Sequence, residues 1–145
     1  MYGFIGGTSS FIKPGDKVLI KPNMLQGKSP EEAITTHPVV VEAIVNMVKD
    51  AGAFPFIGDS PGDPARGMES FWDITGFSNV AERTGAKLVN FEKTGSYKEI
   101  RNNIEYRIAK KVIDADLIIN VPKIKTHGLT IFTSAIKNMY GLFRG

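Results

Sequence analysis

The chain has 145 residues, 42% of them hydrophobic, and this length and composition are those of one globular domain with one core. Eighteen lysine and arginine residues against fifteen aspartate and glutamate residues give a net charge of +3, and the charges are scattered, so nucleic-acid binding gains little support. The absence of cysteine excludes a cysteine-held iron–sulfur cluster within this chain, and no apolar run approaches the roughly 18 residues that a membrane span needs. We therefore expect a cytoplasmic protein that binds neither nucleic acid nor membrane.

The first third of the chain predicts a βαβ unit. Residues 18–22 and 54–59 are short hydrophobic runs that end in turn formers, as the buried strands of a parallel sheet do. Between them, Pro38 suits the first turn of a helix, and apolar residues recur on one helical face up to the stop signal at Gly52. A strand, a helix and a second strand in this order are expected to place two parallel strands in one sheet.

The middle of the chain continues the alternation of helices and strands. A weaker helical pattern at 79–84 ends at Gly85 and leads into a third predicted strand at 87–91. Apolar and polar residues alternate over 104–109, which favours a strand that could run antiparallel. Residues 110–114 then form a short helix or turn.

The last part of the chain predicts a fourth parallel strand at 116–122, a polar loop and a final helix. Residues 130–140 are predicted to be helical, because Phe132, Ile136 and other apolar residues fall on one stripe. Together the elements predict an α/β fold with a mostly parallel sheet and helices on both faces. We expect a three-layer, Rossmann-like arrangement in a single domain that spans residues 1–145.

A ligand site is expected at the carboxyl ends of the parallel strands, because open α/β sheets bind their ligands there. Polar, turn-rich loops follow three of the four predicted parallel strands. Both histidines of the chain belong to these loops, as does an acidic turn that begins at Asp59. We therefore predict that His37, Asp59 and either Lys125 or His127 line one cleft.

The densest group of polar residues lies in VPKIKTHGLTIFTSAIKN, residues 121–138, directly after a predicted buried strand. Lysines, hydroxyls and His127 lie close together in this segment. The amides of a helix that begins near Thr130 would add to the positive field of the lysines, and such a field attracts phosphate or carboxylate. We predict that the lysines clamp an anionic ligand, while His127 transfers a proton or binds a metal.

The candidate residues divide into two groups. The predicted catalytic residues are His127, His37 and Asp59. The predicted substrate-binding residues are Lys21, Asn23, Thr36, Ser60, Lys123, Lys125, Thr126, Thr130, Lys137 and Asn138. Two histidines and one aspartate from distant segments have no spacing that identifies a metal site, so no metal ligands are assigned and the cofactor is unknown.

Each motif also has a purely structural interpretation. Residues 36–38, Thr-His-Pro, are a suitable helix N-cap, because threonine supplies an oxygen to free amides and proline favours the first turn. Residues 58–62 are a suitable β-turn in which Asp59 accepts from its own backbone. Lys123 and Lys125 are consistent with solvated loop charges. The sequence leaves the structural and the functional interpretations open.

Four motifs in order, VLIKPN, TTHPVVVEAIV, GDSPG and NVPKIKTHGLTIFTSAIKNMYGLFRG, resemble the domain-of-unknown-function family 362. The resemblance covers nearly the whole chain and implies an excerpt of a longer domain, incomplete at both ends. It also implies a possible ferredoxin-type partner, because some family members carry a separate cysteine-rich ferredoxin-type segment. The Thr/His/Pro loop before a helix is also similar, as an analogy only, to the N-terminal domain of nickel-pincer lactate racemases.

Three functions are consistent with the sequence. The first is an enzyme that acts on a small anionic substrate, with His127 and His37 as acid–base groups. The second is a redox-associated protein that works with a ferredoxin-type iron–sulfur domain or protein. The third is a non-catalytic module that binds a small anionic ligand. Incomplete ends also predict an exposed apolar patch or sheet edge, which a homo-oligomer would cover.

Overall fold

The structure is a computed structural model that describes residues 7–60, 67–128 and 131–143. The strands within these ranges are β1 (Lys17–Pro22), β2 (Phe54–Asp59), β3 (Lys87–Asn90), β4 (Ser96–Arg101), β5 (Ile104–Ala109), β6 (Leu117–Val121), β7 (Lys125–His127) and β8 (Ile131–Thr133). The α-helices are α1 (Pro38–Asp50), α2 (Met68–Ile74), α3 (Phe77–Thr84), α4 (Lys110–Ile113) and α5 (Ala135–Asn138). Single 3-10 turns lie at Thr8–Ser10, Pro30–Glu32, Phe91–Lys93 and Met139–Leu142.

Four strands form one parallel sheet in the order β3-β2-β1-β6. β1 pairs with β2 on one side and with β6 on the other, so Val18 lies opposite both Pro55 and Leu117. The predicted α/β fold and its four parallel strands are confirmed. Because all four strands run the same way, the sheet has one edge where they end, the carboxyl edge, and one where they begin, the amino edge.

Helices α1, α2 and α3 cover one face of the sheet. Val41, Val45 and Val48 recur at helical spacing along α1 and are fully buried. They pack in one hydrophobic cluster with Val18 and Ile20 of β1, two residues that share a face because successive side chains of a strand alternate. This cluster is the principal core.

The second face of the sheet carries a thinner layer. Leu19 of β1 packs there in a smaller cluster with Phe91, Ala109, Val112 and Leu142. These partners come from the end of β5, from α4 and from the 3-10 turns that follow β3 and α5. Helices therefore flank both faces, as predicted, but on this face each helical element is about one turn long.

The two-asparagine turn of the β4–β5 hairpin is a sequence signal that the prediction did not use. The sequence did not predict a strand at Ser96–Arg101. It did predict that residues 104–109 could form an antiparallel strand, and that orientation is confirmed. Asn102 and Asn103 connect the two strands with φ angles of 50° and 62°. Asparagine tolerates the left-handed region, and a two-residue hairpin turn needs it at both positions. The Asn-Asn pair thus identifies the hairpin.

The predicted helix at 130–140 is wrong over its first part. β8, at Ile131–Thr133, pairs antiparallel with β7, so that Thr133 lies opposite Lys125, although Ile131 itself has a left-handed φ of 62°. Helix α5 begins only at Ala135 and is four residues long. β-Branched residues favour strands over helices, and two of the three residues of β8 are β-branched. The apolar stripe predicted for this helix consequently does not exist.

Candidate functional site

A cavity of about 900 Å³ opens at the carboxyl edge, and we call it the carboxyl-edge cavity. Its walls come from the ends of β1 and β2, from β7 and β8, and from α5 with the 3-10 turn that follows it. The residues predicted to form the site that do line this cavity are Lys21, Asn23, Asp59, Ser60, Lys125, Lys137 and Asn138.

A buried ion pair joins the ends of the two central strands. Lys21 of β1 is 1% exposed, and its Nζ lies 2.5 Å from Oδ1 of Asp59 at the end of β2. Lys21 Nζ also donates to the Pro22 carbonyl at 2.9 Å and to Asn138 Oδ1 at 3.4 Å. An ammonium has three N–H donors, and these three oxygens can accept all of them. The Lys21 charge is therefore held by the protein itself.

The Asp59 carboxylate is equally well held. Its Oδ1 accepts the Ser60 amide at 2.8 Å and its Oδ2 accepts the Met24 amide at 3.1 Å. Burial raises the pKa of Asp59, while the ammonium of Lys21 and the two amide donors oppose that rise. Asp59 is thus both the counter-charge of Lys21 and the anchor of two loops.

Asn138 connects α5 to the sheet. Its Nδ2 donates to the Lys21 carbonyl at 3.1 Å and to Asn120 Oδ1 at 2.8 Å. Its Oδ1 accepts from Asn23 Nδ2 at 3.2 Å as well as from Lys21. Because both ends of the amide are bonded to β1, β6 and the loop after β1, Asn138 fixes the position of α5 over the cavity.

Lys125 of β7 carries a positive charge that pairs with no carboxylate among the described residues. Its Nζ donates to Asn23 Oδ1 at 2.6 Å and to the Ile34 carbonyl at 2.7 Å, and both of these acceptors are neutral. Burial lowers the pKa of Lys125, and the positive charges of Lys137 and Lys123 lower it further. Lys125 is therefore repelled by two further lysines beside the cavity.

Gly141 lies directly over the buried ion pair. A Cβ at this position would come within 2.8 Å of Asp59 Oδ1 and within 3.1 Å of Lys21 Nζ. Real Cβ contacts are essentially never as short as 2.8 Å, so with any other residue at this position the 3-10 turn at Met139–Leu142 or the ion pair would have to shift. This turn forms part of the cavity wall.

The family model described as "Domain of unknown function (DUF362)" matches residues 18–145. The chain belongs to the DUF362 family. It is also similar to the curated Thylakoid-associated protein sll1697 of Synechocystis sp., with 37% identity over 143 residues. That alignment covers 97% of this chain and 43% of the relative, so the chain spans less than half of the relative's length. No solved structure matches the chain significantly.

The relative is named for its association with thylakoids, which is a property of that protein. Among the helices of the described residues, none has the length and apolar character needed to cross a membrane. The cytoplasmic location expected from the sequence stays a prediction, as do the homo-oligomer and the ferredoxin-type partner.

The two histidines of this DUF362 chain differ in what the structure shows. His37 is exposed, and its Nδ1 accepts the Val39 amide at 3.3 Å, which makes it the N-cap of α1. It is not among the described residues that line the carboxyl-edge cavity. His127 belongs to β7 and pairs with Ile131, but its side chain lies outside the described part of the chain. Their catalytic roles stay predictions.

Thr36, Lys123 and Thr126 were also predicted to belong to the site, and they are not among the described residues that line the cavity. Thr36 is buried, donates from Oγ1 to the Val121 carbonyl at 2.7 Å and accepts the Asn23 amide at 2.8 Å, so it joins β6 to the loop after β1. Lys123 is half-buried, and Thr126 is exposed in β7. Thr130 lies outside the described residues.

The sequence prediction missed the aromatic and glycine residues of the cavity wall. Phe132, Tyr140, Gly141 and Phe143 line it, although none of them was predicted to belong to the site. The usable signal was the run of aromatic residues on either side of the final lysine, in a segment already rich in polar groups. Within the described residues, no group of three His, Asp or Glu side chains could hold a metal ion.

Proposed function

We propose that the carboxyl-edge cavity binds a small anion, a phosphate or a carboxylate, through Lys125 and Lys137. Both lysines line the cavity. The single observation that carries the proposal is that, within the described part of the chain, Lys125 donates to two neutral oxygens and to no carboxylate, while Lys137 and Lys123 repel it. An anion would relieve this repulsion and accept a charge-assisted hydrogen bond.

The buried ion pair determines where the anion would lie. Lys21 and Asp59 neutralise each other at 2.5 Å, so together they neither attract nor repel a ligand strongly. The uncompensated charge is thus on the β7 side of the cavity, at Lys125. The helix amides expected near Thr130 play no part in this proposal, because α5 begins at Ala135.

Calorimetry with inorganic phosphate and with acetate tests the proposal. We expect Lys125→Gln to weaken binding about tenfold or more, since it removes a hydrogen bond to a charged group. Glutamine can still bond to Asn23, so the loop connection is least disturbed. Lys137→Gln is expected to act in the same direction.

Lys13→Gln is the matched control. Lys13 is an exposed lysine that precedes β1, on the amino-edge side of the molecule, and its removal changes the net charge equally. Lys49 of α1 would be a poorer control, because its Nζ donates to the Thr84 carbonyl at 2.7 Å. Equal affinities of the Lys125 and Lys13 variants, or no binding by the unmodified protein, would contradict the proposal.

A further inference from the structure

Large apolar side chains gather around the same cavity and stay open to solvent. Tyr140 is 71% exposed, Ile136 is 85% exposed and Phe132 is 58% exposed, and all three line the cavity. Single exposed apolar residues are ordinary on a protein surface, but a group of them around one concave site marks a place where something binds. These residues follow one another within β8, α5 and the 3-10 turn after it.

Two ring contacts hold this wall in place. The Phe143 ring lies 6.1 Å from that of Tyr106 and 6.5 Å from that of Tyr140, tilted by 53° and 58°. Such distances and tilts are those of favourable aromatic pairs. A β-bridge between Ile108 and Phe143 also attaches the segment to the β4–β5 hairpin. The aromatic wall is therefore supported from behind by the hairpin.

The charged and the aromatic parts of the cavity are close in the fold. Lys125 lies opposite Thr133 in the β7–β8 pair, and Phe132, the residue before Thr133, lines the same cavity as Lys125. A volume of about 900 Å³ is that of a site for a small organic molecule, and sites of that kind combine an apolar lining with a few polar groups that fix orientation. Inorganic phosphate is too small to reach from the lysines across such a wall.

We infer that the ligand is an organic anion with an apolar, ring-bearing body: its carboxylate or phosphate bonds to Lys125 and Lys137, and its ring packs on Phe132 and Tyr140. This inference rests on the proposed anion site and adds the class of ligand. The charge complementarity comes from the lysines, and the preference for a ring comes from the exposed aromatic faces.

Titration of the 145-residue chain with three matched compounds tests the inference. Acetate carries the charge alone, phenylacetate carries the charge and a ring, and phenylacetamide carries the ring alone. We expect phenylacetate to bind about tenfold to a hundredfold more tightly than acetate, because the ring is removed from water. We expect phenylacetamide to bind much more weakly than phenylacetate.

Two phenylalanine variants separate the aromatic wall from general hydrophobic effects. Phe132 is 58% exposed and lines the cavity, whereas Phe11 is 57% exposed and precedes β1. Because both side chains are largely exposed, neither Phe132→Ala nor Phe11→Ala removes a core contact. We expect Phe132→Ala to abolish most of the advantage of phenylacetate over acetate, and Phe11→Ala to leave that advantage unchanged.

The outcomes distinguish the two levels of the proposal. If acetate and phenylacetate bind equally, and Lys125→Gln weakens both, the anion site stands and the ring-binding inference is wrong. If Phe132→Ala and Phe11→Ala have equal effects on phenylacetate, the inference is also wrong. If none of the anions binds, or Lys125→Gln changes nothing, the proposed function fails and takes this inference with it.

Discussion

The two edges of the sheet carry cavities of similar size. They differ in the groups that contact the lysine side chains lining them. The amino-edge cavity has a volume of about 760 Å³, and Lys17, Lys49, Lys87 and Lys111 line it. Lys49 there donates to the last carbonyl of α3, and Lys111 pairs with Asp114 at 3.1 Å. At the carboxyl edge, the partners of Lys125 among residues 7–60, 67–128 and 131–143 are two neutral oxygens, and two further lysines repel it.

The comparison teaches that neither cavity volume nor lysine content identifies an anion site. Basic side chains near the C-termini of helices stabilise the free carbonyls there, and this accounts for Lys49 beside α3. Lys125 differs from Lys49 in being partly buried beside two further lysines that repel it, an arrangement that a bound anion would stabilise. The proposed anion site therefore lies at the carboxyl edge, where α/β sheets generally bind their ligands.

The largest expected effect contrasts the ion pairs of the two edges. Asp59→Ala would leave the Lys21 ammonium buried without a counter-charge, and we expect a loss of about 3–5 kcal/mol in the free energy of unfolding. Asp114→Ala breaks an exposed pair at the amino edge, and we expect a loss below about 1 kcal/mol. Urea denaturation measures both. Similar losses in the two variants would show that the buried pair at the carboxyl edge contributes no more to stability than the exposed pair at the amino edge.

A smaller effect concerns the turn that closes over this pair. In Gly141→Ala the new methyl group would meet Asp59 and Lys21, so the turn must shift, and we expect a loss of about 1–3 kcal/mol in unfolding free energy. Gly128→Ala is the matched control, because a Cβ there meets nothing within 4 Å. Thermal unfolding of the two variants compares them, and a Gly141 variant as stable as the control would refute the close contact.

The smallest expected effect is the pH dependence of anion binding. The pKa of Lys125 is lowered in the free protein, and a bound anion favours the charged form and so raises that pKa. Affinity should therefore decline as pH rises through the lowered pKa of Lys125, which lies below the ordinary lysine value of about 10.5. Calorimetry across this range measures the decline.

Lys125→Arg sharpens the test, because arginine keeps its charge throughout the accessible pH range. We expect this variant to retain its affinity at alkaline pH, even if its neutral-pH affinity differs from that of the unmodified protein. An identical decline in both proteins would assign the pH dependence to another group.

Much of the sheet could be predicted from the sequence. Buried parallel strands are short, continuous apolar runs bounded by turn formers, and the runs that became β1, β2 and β6 have that form without ambiguity. The carboxyl-edge position of Asp59 and Lys125 followed from the strand order in the chain. Helix α1 followed from Pro38 and the periodic valines.

The segment after β6 shows the limit of local pattern. Phe132 and Ile136 have helical spacing, yet Phe132 belongs to a strand, because pairing with β7 competes with helix formation and wins. Similarly, Thr36-His37-Pro38 was open to a capping or a catalytic interpretation. The structure shows a cap, but His37 Nδ1 supplies it, and the expected capping oxygen of Thr36 bonds to Val121 and Asn23 instead. The catalytic role stays a prediction.

The sequence by itself determined the α/β class, the parallel strands, the principal helix and the edge of the sheet at which polar residues gather. Those features depend on periodicity and on turn chemistry, which act over a few residues. Only the tertiary structure decided that Lys21 is neutralised by Asp59 while Lys125 is not. Lys21 and Asp59 are 38 positions apart in the chain, and Lys125 and Ile34 are more than 90 apart. Which groups surround each lysine therefore depends on distant residues that the fold brings together. Coulombic interactions and burial depend on distances in space, which local patterns do not contain.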